Sequence, residues 1–217
     1  MRLKAVIYLG LFFMFASPIF AVEFGPNCNF VQDTSFGSRG VLDAQTSIRS
    51  ISVDSDGNIY VAGANLDDSK NWIRKFDSQG QPIGVISSIN NNGGVIDLTA
   101  GYVSSASVDK DDNLWIAFVD YDYPDYVGAK NRVYKISPDN TFLLELPAEN
   151  VLTSEGIFVD KVNNWVYAYD RGGDRVRVFN SEGSFLGAIS GFENFHPEDV
   201  YVSSSGDVYV SLNDPND

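Results

Sequence analysis

The sequence has few of the side chains that most often carry chemistry or hold nucleic acid. Its 217 residues include one cysteine and one histidine, and 15 lysines and arginines stand against 29 aspartates and glutamates. The single cysteine, Cys28, has no second cysteine with which to form a disulfide inside the chain. A net charge of −14 repels a phosphate backbone, and no basic patch offsets it. These shortages exclude a disulfide framework and argue against a nucleic-acid partner.

Catalytic patterns are also missing. His196 is the one histidine of the sequence, and a metal site usually needs more than one imidazole or a set of acids at equivalent inner positions, so we interpret it as a loop residue that packs between repeats. The chain contains no Gly-x-Ser-x-Gly nucleophile elbow. The segment from Asn90 to Gly94 lacks the Lys-Ser/Thr of a phosphate loop, and we interpret it as a flexible connection. We therefore predict no catalytic residue, no metal site and no cofactor.

The N-terminus carries the one long apolar run. Two basic residues open residues 1–21, the apolar run follows, and Ala21 ends the segment. This order is typical of a signal peptide that is cleaved after Ala21, followed by a linker over residues 22–32. We expect a secreted or periplasmic protein without a membrane span after cleavage. The alternatives are an uncleaved membrane anchor and a lipid anchor at Cys28.

The rest of the chain repeats. Four segments share a short β-rich run, a polar turn and an alternating aromatic and β-branched run, which is a hairpin pattern. The valine before each turn marks the repeat and recurs at intervals of 55, 51 and 43 residues. The markers are Val53, Val108, Val159 and Val202. A second hairpin pattern follows in the first three units, beginning at Asn71, Asn131 and Asp174.

Two hairpins in each unit predict four-stranded antiparallel sheets. Repetition of such a unit every 40–50 residues is typical of the blades of a β-propeller. We therefore predict an all-β fold, with a β-propeller over residues 33–217 and about four visible blades. The predicted units are near 47–86, 103–146, 154–190 and, in part, 197–217.

The turn Asp54-Ser55-Asp56-Gly57 raises the question of calcium binding. A helix–loop–helix calcium loop needs glycine at its sixth position and glutamate at its twelfth, where this chain has Ile59 and Asn65. The equivalent turn at 203–207 replaces most of the acids with serine. Aspartate, asparagine and glycine are all favoured in tight turns. The acids are therefore interpreted as turn residues.

These repeats resemble a known family. The segment from Glu155 to Gly191, with its Gly-Ile-x-Val-Asp opening and its Arg-Val-x-Val-Phe strand, is similar to an NHL repeat. The segment from Asp33 to Val41 resembles the delta-60 repeat of bacterial surface proteins. The resemblance extends from about Asp33 to the end of the chain and implies a β-propeller. The third unit has Gly173-Asp174-Arg175 where Asn-His-Arg is common in NHL repeats.

The number of repeats predicts an open or incomplete ring. NHL-like propellers close with about six blades, whereas this sequence shows three full units and a partial fourth. We expect the chain to be part of a longer propeller. An uncovered sheet edge would pair with further blades or with a second chain.

One insertion stands out between the two hairpins of the second unit. In "VDYDYPDYVG" three acids alternate with three tyrosines. Tyrosine rings suit sugar rings or protein partners, and the acids suit a basic group. The alternative is a solvated loop whose rings fold onto the blade. We predict a ligand-binding loop, here called the Asp-Tyr loop, formed by Asp120, Tyr121, Asp122, Tyr123, Asp125 and Tyr126.

The sequence thus predicts an exported, non-catalytic β-propeller that binds a protein or carbohydrate partner. The alternative is a propeller enzyme of the lactonase or lyase type, whose metal or catalytic residues lie in blades that this chain does not include. A surface-structural repeat protein without a discrete ligand is a third reading.

Overall fold

A computed structural model describes residues 46–65, 71–120, 130–147, 154–170, 174–192 and 195–213. The predicted signal peptide, the linker with Cys28, and the delta-60-like segment lie outside the described residues. The described part of the chain contains sixteen β-strands and one short 3-10 turn, Leu98–Ala100. Over these ranges, no helix is long and apolar enough to cross a membrane.

The strands form four main sheets in which each strand pairs antiparallel with the next along the chain. Sheet I contains β1 (Thr46–Val53), β2 (Ile59–Asn65), β3 (Asn71–Phe76) and β4 (Pro82–Ile86). Between sheets I and II lie β5 (Ser88–Asn91) and β6 (Gly94–Asp97). Sheet II contains β7 (Tyr102–Val108), β8 (Leu114–Asp120), β9 (Lys130–Ile136) and β10 (Phe142–Glu145). Sheet III contains β11 (Ser154–Asp160), β12 (Trp165–Asp170), β13 (Arg175–Phe179) and β14 (Phe185–Ile189). Sheet IV contains β15 (His196–Val202) and β16 (Val208–Asn213). The predicted all-β fold of four-stranded antiparallel sheets is confirmed.

The burial of each strand reflects how many of its faces are covered. Residues Leu114 to Phe118 of β8 are all buried, because sheet II lies between sheets I and III. A strand that is covered on both faces has an unbroken apolar sequence. In β15 buried Val200 and Val202 alternate with exposed Tyr201, which is typical of a strand with one covered face. The apolar pattern of a strand therefore indicates whether one or both faces of its sheet are covered by a neighbouring sheet.

Hydrogen bonds from the backbone hold the tight turns. The Oδ1 atom of Asp54 accepts from the backbone N–H of Asp56 at 3.1 Å and of Asn58 at 2.8 Å. Gly57 has φ +81°, a conformation that glycine adopts without a steric cost. Asp109 accepts in the same way from Asp111 and Asn113 in sheet II. In both turns the first aspartate serves as the acceptor that closes the hairpin.

Most of the apolar core lies between neighbouring sheets, and a smaller cluster of Val61 and Phe76 belongs to sheet I alone. One cluster joins sheets I and II and includes Tyr60, Ile73 and Ile116. A second joins sheets II and III, and a third joins sheets III and IV through residues such as Tyr167 and Val200. Each sheet therefore buries its neighbour's face, which is the packing of propeller blades.

Serines on the first strand of sheets I and II connect these sheets to the next ones. Ser52 Oγ accepts from the backbone N–H of Val108 at 2.9 Å, and Ser107 Oγ accepts from that of Val159 at 3.1 Å. The Ser50 side chain likewise bonds Ala106 of β7. We call Ser50, Ser52 and Ser107 the seam serines. They fix the register of the first strand of one sheet against the first strand of the next sheet.

The segment from Asn90 to Gly94 is not a flexible connection, so that interpretation was wrong. It lies in a β-hairpin, here called the inserted hairpin, in which Asn91 of β5 pairs with Gly94 of β6. The two-residue turn contains Gly93, whose φ of +89° suits glycine. Buried Ile89 holds this hairpin in the core between sheets I and II. The segment is therefore an ordered element, although its polar residues are typical of a loop.

Candidate functional site

The inserted hairpin and sheet II form a cleft of about 430 Å³. One side comes from the hairpin and the turn that follows it, and the other from β8, β9 and β10. The lining residues are Asn91, Ile96, Asp97, Ala100, Phe118, Arg132, Tyr134 and Glu145. This volume lies within the range of small-ligand sites and would also hold a side chain or short segment of a partner.

Core contacts and backbone pairing hold the hairpin over sheet II. Ile89 and Leu98, at the two ends of the hairpin, are fully buried. The backbone N–H of Asn90 donates to the carbonyl oxygen of Asn140 at 2.9 Å, which connects β5 to the start of β10. The Leu98 backbone N–H donates to the Ser87 carbonyl at 2.9 Å. The cleft is therefore built on ordered strands.

The cleft combines apolar walls with charged groups. Phe118 and Tyr134 are buried in its base, with ring centroids 6.2 Å apart. Arg132 Nη1 and Glu145 Oε1 form an ion pair at 2.7 Å across β9 and β10, and both side chains are half-buried. Asp97 is exposed and accepts from the backbone N–H of Thr99 at 2.8 Å. Such a surface can contact both polar and apolar parts of one ligand, and its lining includes no nucleophile paired with a base.

The structure describes only one end of the Asp-Tyr loop. Asp120 is the last residue of β8, and its backbone pairs with Lys130, the first residue of β9. Two positions further along the same strands, Phe118 pairs with Arg132, and both line the cleft. The end of β8 and the start of β9 therefore lie beside the cleft. The other predicted ligand residues lie outside the described residues: Tyr121, Asp122, Tyr123, Asp125 and Tyr126.

A buried ion pair in sheet II was missed by the sequence reading. Lys135 Nζ lies 3.1 Å from Asp109 Oδ2 and 5.2 Å from the centre of the Trp115 ring. The same ammonium donates to the carbonyl oxygen of Ser181 in the neighbouring sheet at 3.2 Å. A charge that is removed from water needs such a full set of partners. This cluster therefore connects sheets II and III and is structural.

A more open copy of this cluster occurs in sheet I. Lys75 Nζ lies 3.8 Å from Asp54 Oδ2 and 4.9 Å from the centre of the Tyr60 ring. Burial raises the pKa of Asp54, but hydrogen bonds from Asn58 and the charge of Lys75 outweigh burial, so the pKa is lowered overall. The signal in the sequence was an aspartate six residues before an aromatic residue in both units, with a lysine opposite that aromatic residue on the third strand.

His196 is not a loop residue, which corrects the prediction made for it. It is the first residue of β15, and its Nδ1 atom lies 2.6 Å from Asp174 Oδ1. Asp174 immediately precedes β13, so the contact connects sheets III and IV. Within the described ranges, no group of three or more histidine, cysteine, aspartate or glutamate side chains could hold a metal ion.

Comparison with known proteins agrees with the fold. Residues 39–64 match the family described as SBBP, a β-propeller repeat. None of the curated proteins with which the sequence was compared matches it. The match covers the region of β1 and β2, where the first repeat begins.

Solved structures with similar folds share little sequence with this chain. The WD40 domain of Neurospora crassa Pan2 has a TM-score of 0.51 and 12% identity, over 77% of this chain and 44% of that one. A protein of unknown function from Bacteroides caccae has a TM-score of 0.49 and 11% identity, over 76% and 53%. Hydrazine synthase from Kuenenia stuttgartiensis has a TM-score of 0.49 and 12% identity, over 82% and 44%. The chain thus spans about half the length of these structures.

The four main sheets, their packing on one another and the repeat match define the class by its fold: the described sheets are those of a β-propeller, and residues 39–64 match a β-propeller repeat. At 12% identity, the likeness to the WD40 domain is one of fold.

Proposed function

We propose that this chain is a non-catalytic β-propeller module that binds a protein partner in the cleft between the inserted hairpin and sheet II. The single observation that carries the proposal is the position of this cleft beside the point where the Asp-Tyr loop leaves sheet II. Loops on propeller faces are common binding elements, because a rigid scaffold positions them.

The charges of the site favour a partner with a basic group. Asp97 and Glu145 line the cleft, and the adjoining loop sequence adds three aspartates. The apolar base at Phe118 and Tyr134 would contact the stem of a lysine or arginine or a neighbouring apolar side chain. A net charge of −14 would speed the encounter with a basic partner.

Three finer predictions belong to this proposal. The NHL type of the repeats rests on the similarity of residues 155–191 to that family, and an exported location rests on the signal-peptide pattern of residues 1–21. A glycan ligand is the alternative to a protein partner, and it would use the three tyrosines of the loop as stacking surfaces. The experiment below distinguishes the two ligand classes.

The test compares the native chain with two variants that change the site from opposite sides. Asn91→Trp places an indole at an exposed cleft position of β5, and the triple change Tyr121→Ala, Tyr123→Ala and Tyr126→Ala removes the loop rings. Photo-cross-linking with envelope proteins tests for a protein ligand, and binding to an oligosaccharide array tests for a glycan. We expect one specific ligand, with at least tenfold weaker binding in both variants and unchanged melting temperatures.

Val162→Trp is the matched control for the indole, because Val162 is 66% exposed in a turn of sheet III away from the cleft. This control should bind like the native chain. Binding that survives both site variants would contradict the proposal. If the triple variant loses several degrees of melting temperature, the loop rings belong to the core and the Asp-Tyr loop is not a binding element. An array signal that both variants abolish would assign the site to a glycan.

A further inference from the structure

Strand β6 forms the outer edge of the inserted hairpin. Among the described residues it belongs to a two-stranded sheet and pairs with β5 alone. The Val95 side chain in the middle of β6 is 65% exposed. Solvent therefore reaches this strand beside the cleft.

The hydrogen bonds of β5 show where the backbone groups of Val95 point. Asn90 of β5 donates its N–H to the carbonyl oxygen of Asn140 at 2.9 Å, which is away from β6. Asn90 and Val95 lie directly opposite each other, so they form the kind of antiparallel pair that exchanges no hydrogen bonds. The N–H and C=O of Val95 therefore point outward from the hairpin, and no backbone hydrogen bond from another described strand reaches them.

The other outer strands of the neighbouring sheets differ from β6. The last strands of sheets I, II and III, which are β4, β10 and β14, each have a register shift against the strand beside them. Bulges of this kind interrupt an edge and protect it from pairing with another chain. β5 and β6 pair without a register shift, and β6 contains no proline or lysine. The edge of β6 is therefore suited to accept a further strand.

A strand added to β6 would direct alternate side chains toward the cleft. Ile96 follows Val95 in the strand, so its side chain is on the opposite face, and it lines the cleft. In the added strand, the residue paired with Val95 would share the exposed face. The residues before and after it would lie on the face of Ile96. Main-chain hydrogen bonds would then supply affinity, and the side chains on the Ile96 face would supply specificity.

The charges around β6 favour a basic side chain in the cleft. Residues 88–100, which comprise the hairpin and the turn after it, include one acid, Asp97, and no lysine or arginine. Arg132, the cation among the residues that line the cleft, is already paired with Glu145 at 2.7 Å. A lysine or arginine on the Ile96 face would pack its apolar stem in the cleft and hold its charge near Asp97.

We propose that the protein partner binds by strand addition: an extended segment of the partner pairs with β6 at Val95 and directs a lysine or arginine into the cleft. This inference rests on the proposed function, because it states how a protein would occupy the same cleft. A glycan has no backbone amide and cannot form this pairing.

The first test uses the purified full chain and a library of short acetylated peptides in which threonine alternates with randomised positions. We expect the tightest binder to have lysine or arginine at a randomised position. N-methyl groups on its inner threonines should weaken binding at least tenfold in calorimetric titration, because those amides would face Val95. N-methyl groups on the randomised positions are the matched control. They should leave binding nearly unchanged, because those amides would point away from β6.

The second test changes β6 itself. Val95→Pro removes the outward N–H and leaves the hydrogen bonds between β5 and β6 in place, so it should weaken binding of the same peptide at least tenfold. Val95→Thr keeps the N–H and a β-branched side chain, and it should bind like the native chain. Melting curves establish that both variants are folded. If Val95→Pro is not, the methylated peptides still decide the matter on the native chain.

The outcomes separate strand addition from the use of the cleft. Binding that is lost in Asn91→Trp, but is unchanged in Val95→Pro and with both methylated peptides, would overturn strand addition and support the cleft as the site. Binding that is lost in Val95→Pro and survives Asn91→Trp would show that the cleft takes no part, which overturns both proposals. A library that yields no binder, or one that selects aspartate or glutamate, also overturns this inference.

Discussion

At the scale of the residue, neighbours decide what a side chain does. The first aspartate of the turns in sheets I and II looks the same in the sequence, but Asp109 is buried beside Lys135 while Asp54 has a looser contact with Lys75. Serines that resemble turn composition in the sequence act as acceptors for the next sheet. The residue types correctly predicted the hydrogen bonding of the turns. They did not predict which side chains form contacts between sheets.

Tyr167 gives a prediction about alkaline pH. This side chain is 1% exposed, and burial, followed by the nearby charge of Asp160, raises its pKa to about 12. The folded state therefore holds the proton more tightly than the unfolded chain, whose tyrosine titrates near pH 10. This contribution is fully present below pH 10 and is lost as the pH rises from about 10 to about 12. At about 1.4 kcal/mol for each pKa unit, it amounts to at most about 3 kcal/mol.

We expect Tyr167→Phe to flatten the dependence of unfolding free energy on pH between 10 and 12. Urea unfolding at a series of pH values measures the slope. Tyr201→Phe, at an exposed position, is the matched control and should leave the slope as in the native chain. An equally steep alkaline loss in Tyr167→Phe would show that another group is responsible.

At the scale of the element, the alternation of strand and turn was predictable and the inserted hairpin was not. Hairpin signals depend on residues close in sequence, such as the turn at Asp54 to Asn58, so they can be read locally. The segment from Asn90 to Gly94 has strands of only four residues with mostly polar side chains. Its order comes from Ile89 and Leu98, which are buried against other sheets, and no local pattern records that contact.

The inserted hairpin provides a stability prediction. Ile89 is completely buried in the core. Ile89→Ala should therefore lower the free energy of unfolding by about 2–4 kcal/mol, because the change removes buried apolar surface and leaves a cavity. Val95→Ala, on the opposite strand and 65% exposed, should change it by less than about 0.5 kcal/mol. Chemical denaturation of both variants measures the difference. Equal, small effects would mean that the hairpin is not held by the core.

At the scale of the whole molecule, the sheets are held by contacts between them. Clusters of buried residues join each neighbouring pair of sheets, and the seam serines form hydrogen bonds with the backbone of the first strand of the next sheet. In such a stack, each interface contributes its own share to stability. A substitution in the first strand of a sheet should therefore weaken one interface between sheets more than the others.

Ser107→Ala tests this coupling. The change leaves the backbone N–H of Val159 without its acceptor at a buried seam, which should cost about 1–3 kcal/mol. Hydrogen exchange should show faster exchange at Val159, with less change in sheet I. Ser204→Ala, in an exposed turn of sheet IV, is the control and should leave exchange and stability close to those of the native chain. Slow exchange at Val159 in Ser107→Ala would contradict the role of the serine.

The amino-acid sequence alone determined the repeating hairpins, the four-stranded sheets and the propeller class, because period-two alternation and turn chemistry act between residues that are near each other in the chain. Tertiary structure decided the inserted hairpin, the cleft, the Asp109–Lys135 pair and the exposure of Ile51 and Tyr201. Each of these depends on which sheet lies opposite a given face. Val53 and Val108 occupy equivalent repeat positions and carry the same residue, yet Val108 is buried in the core between sheets I and II while Val53 is 44% exposed, because burial depends on what each face meets in the folded chain.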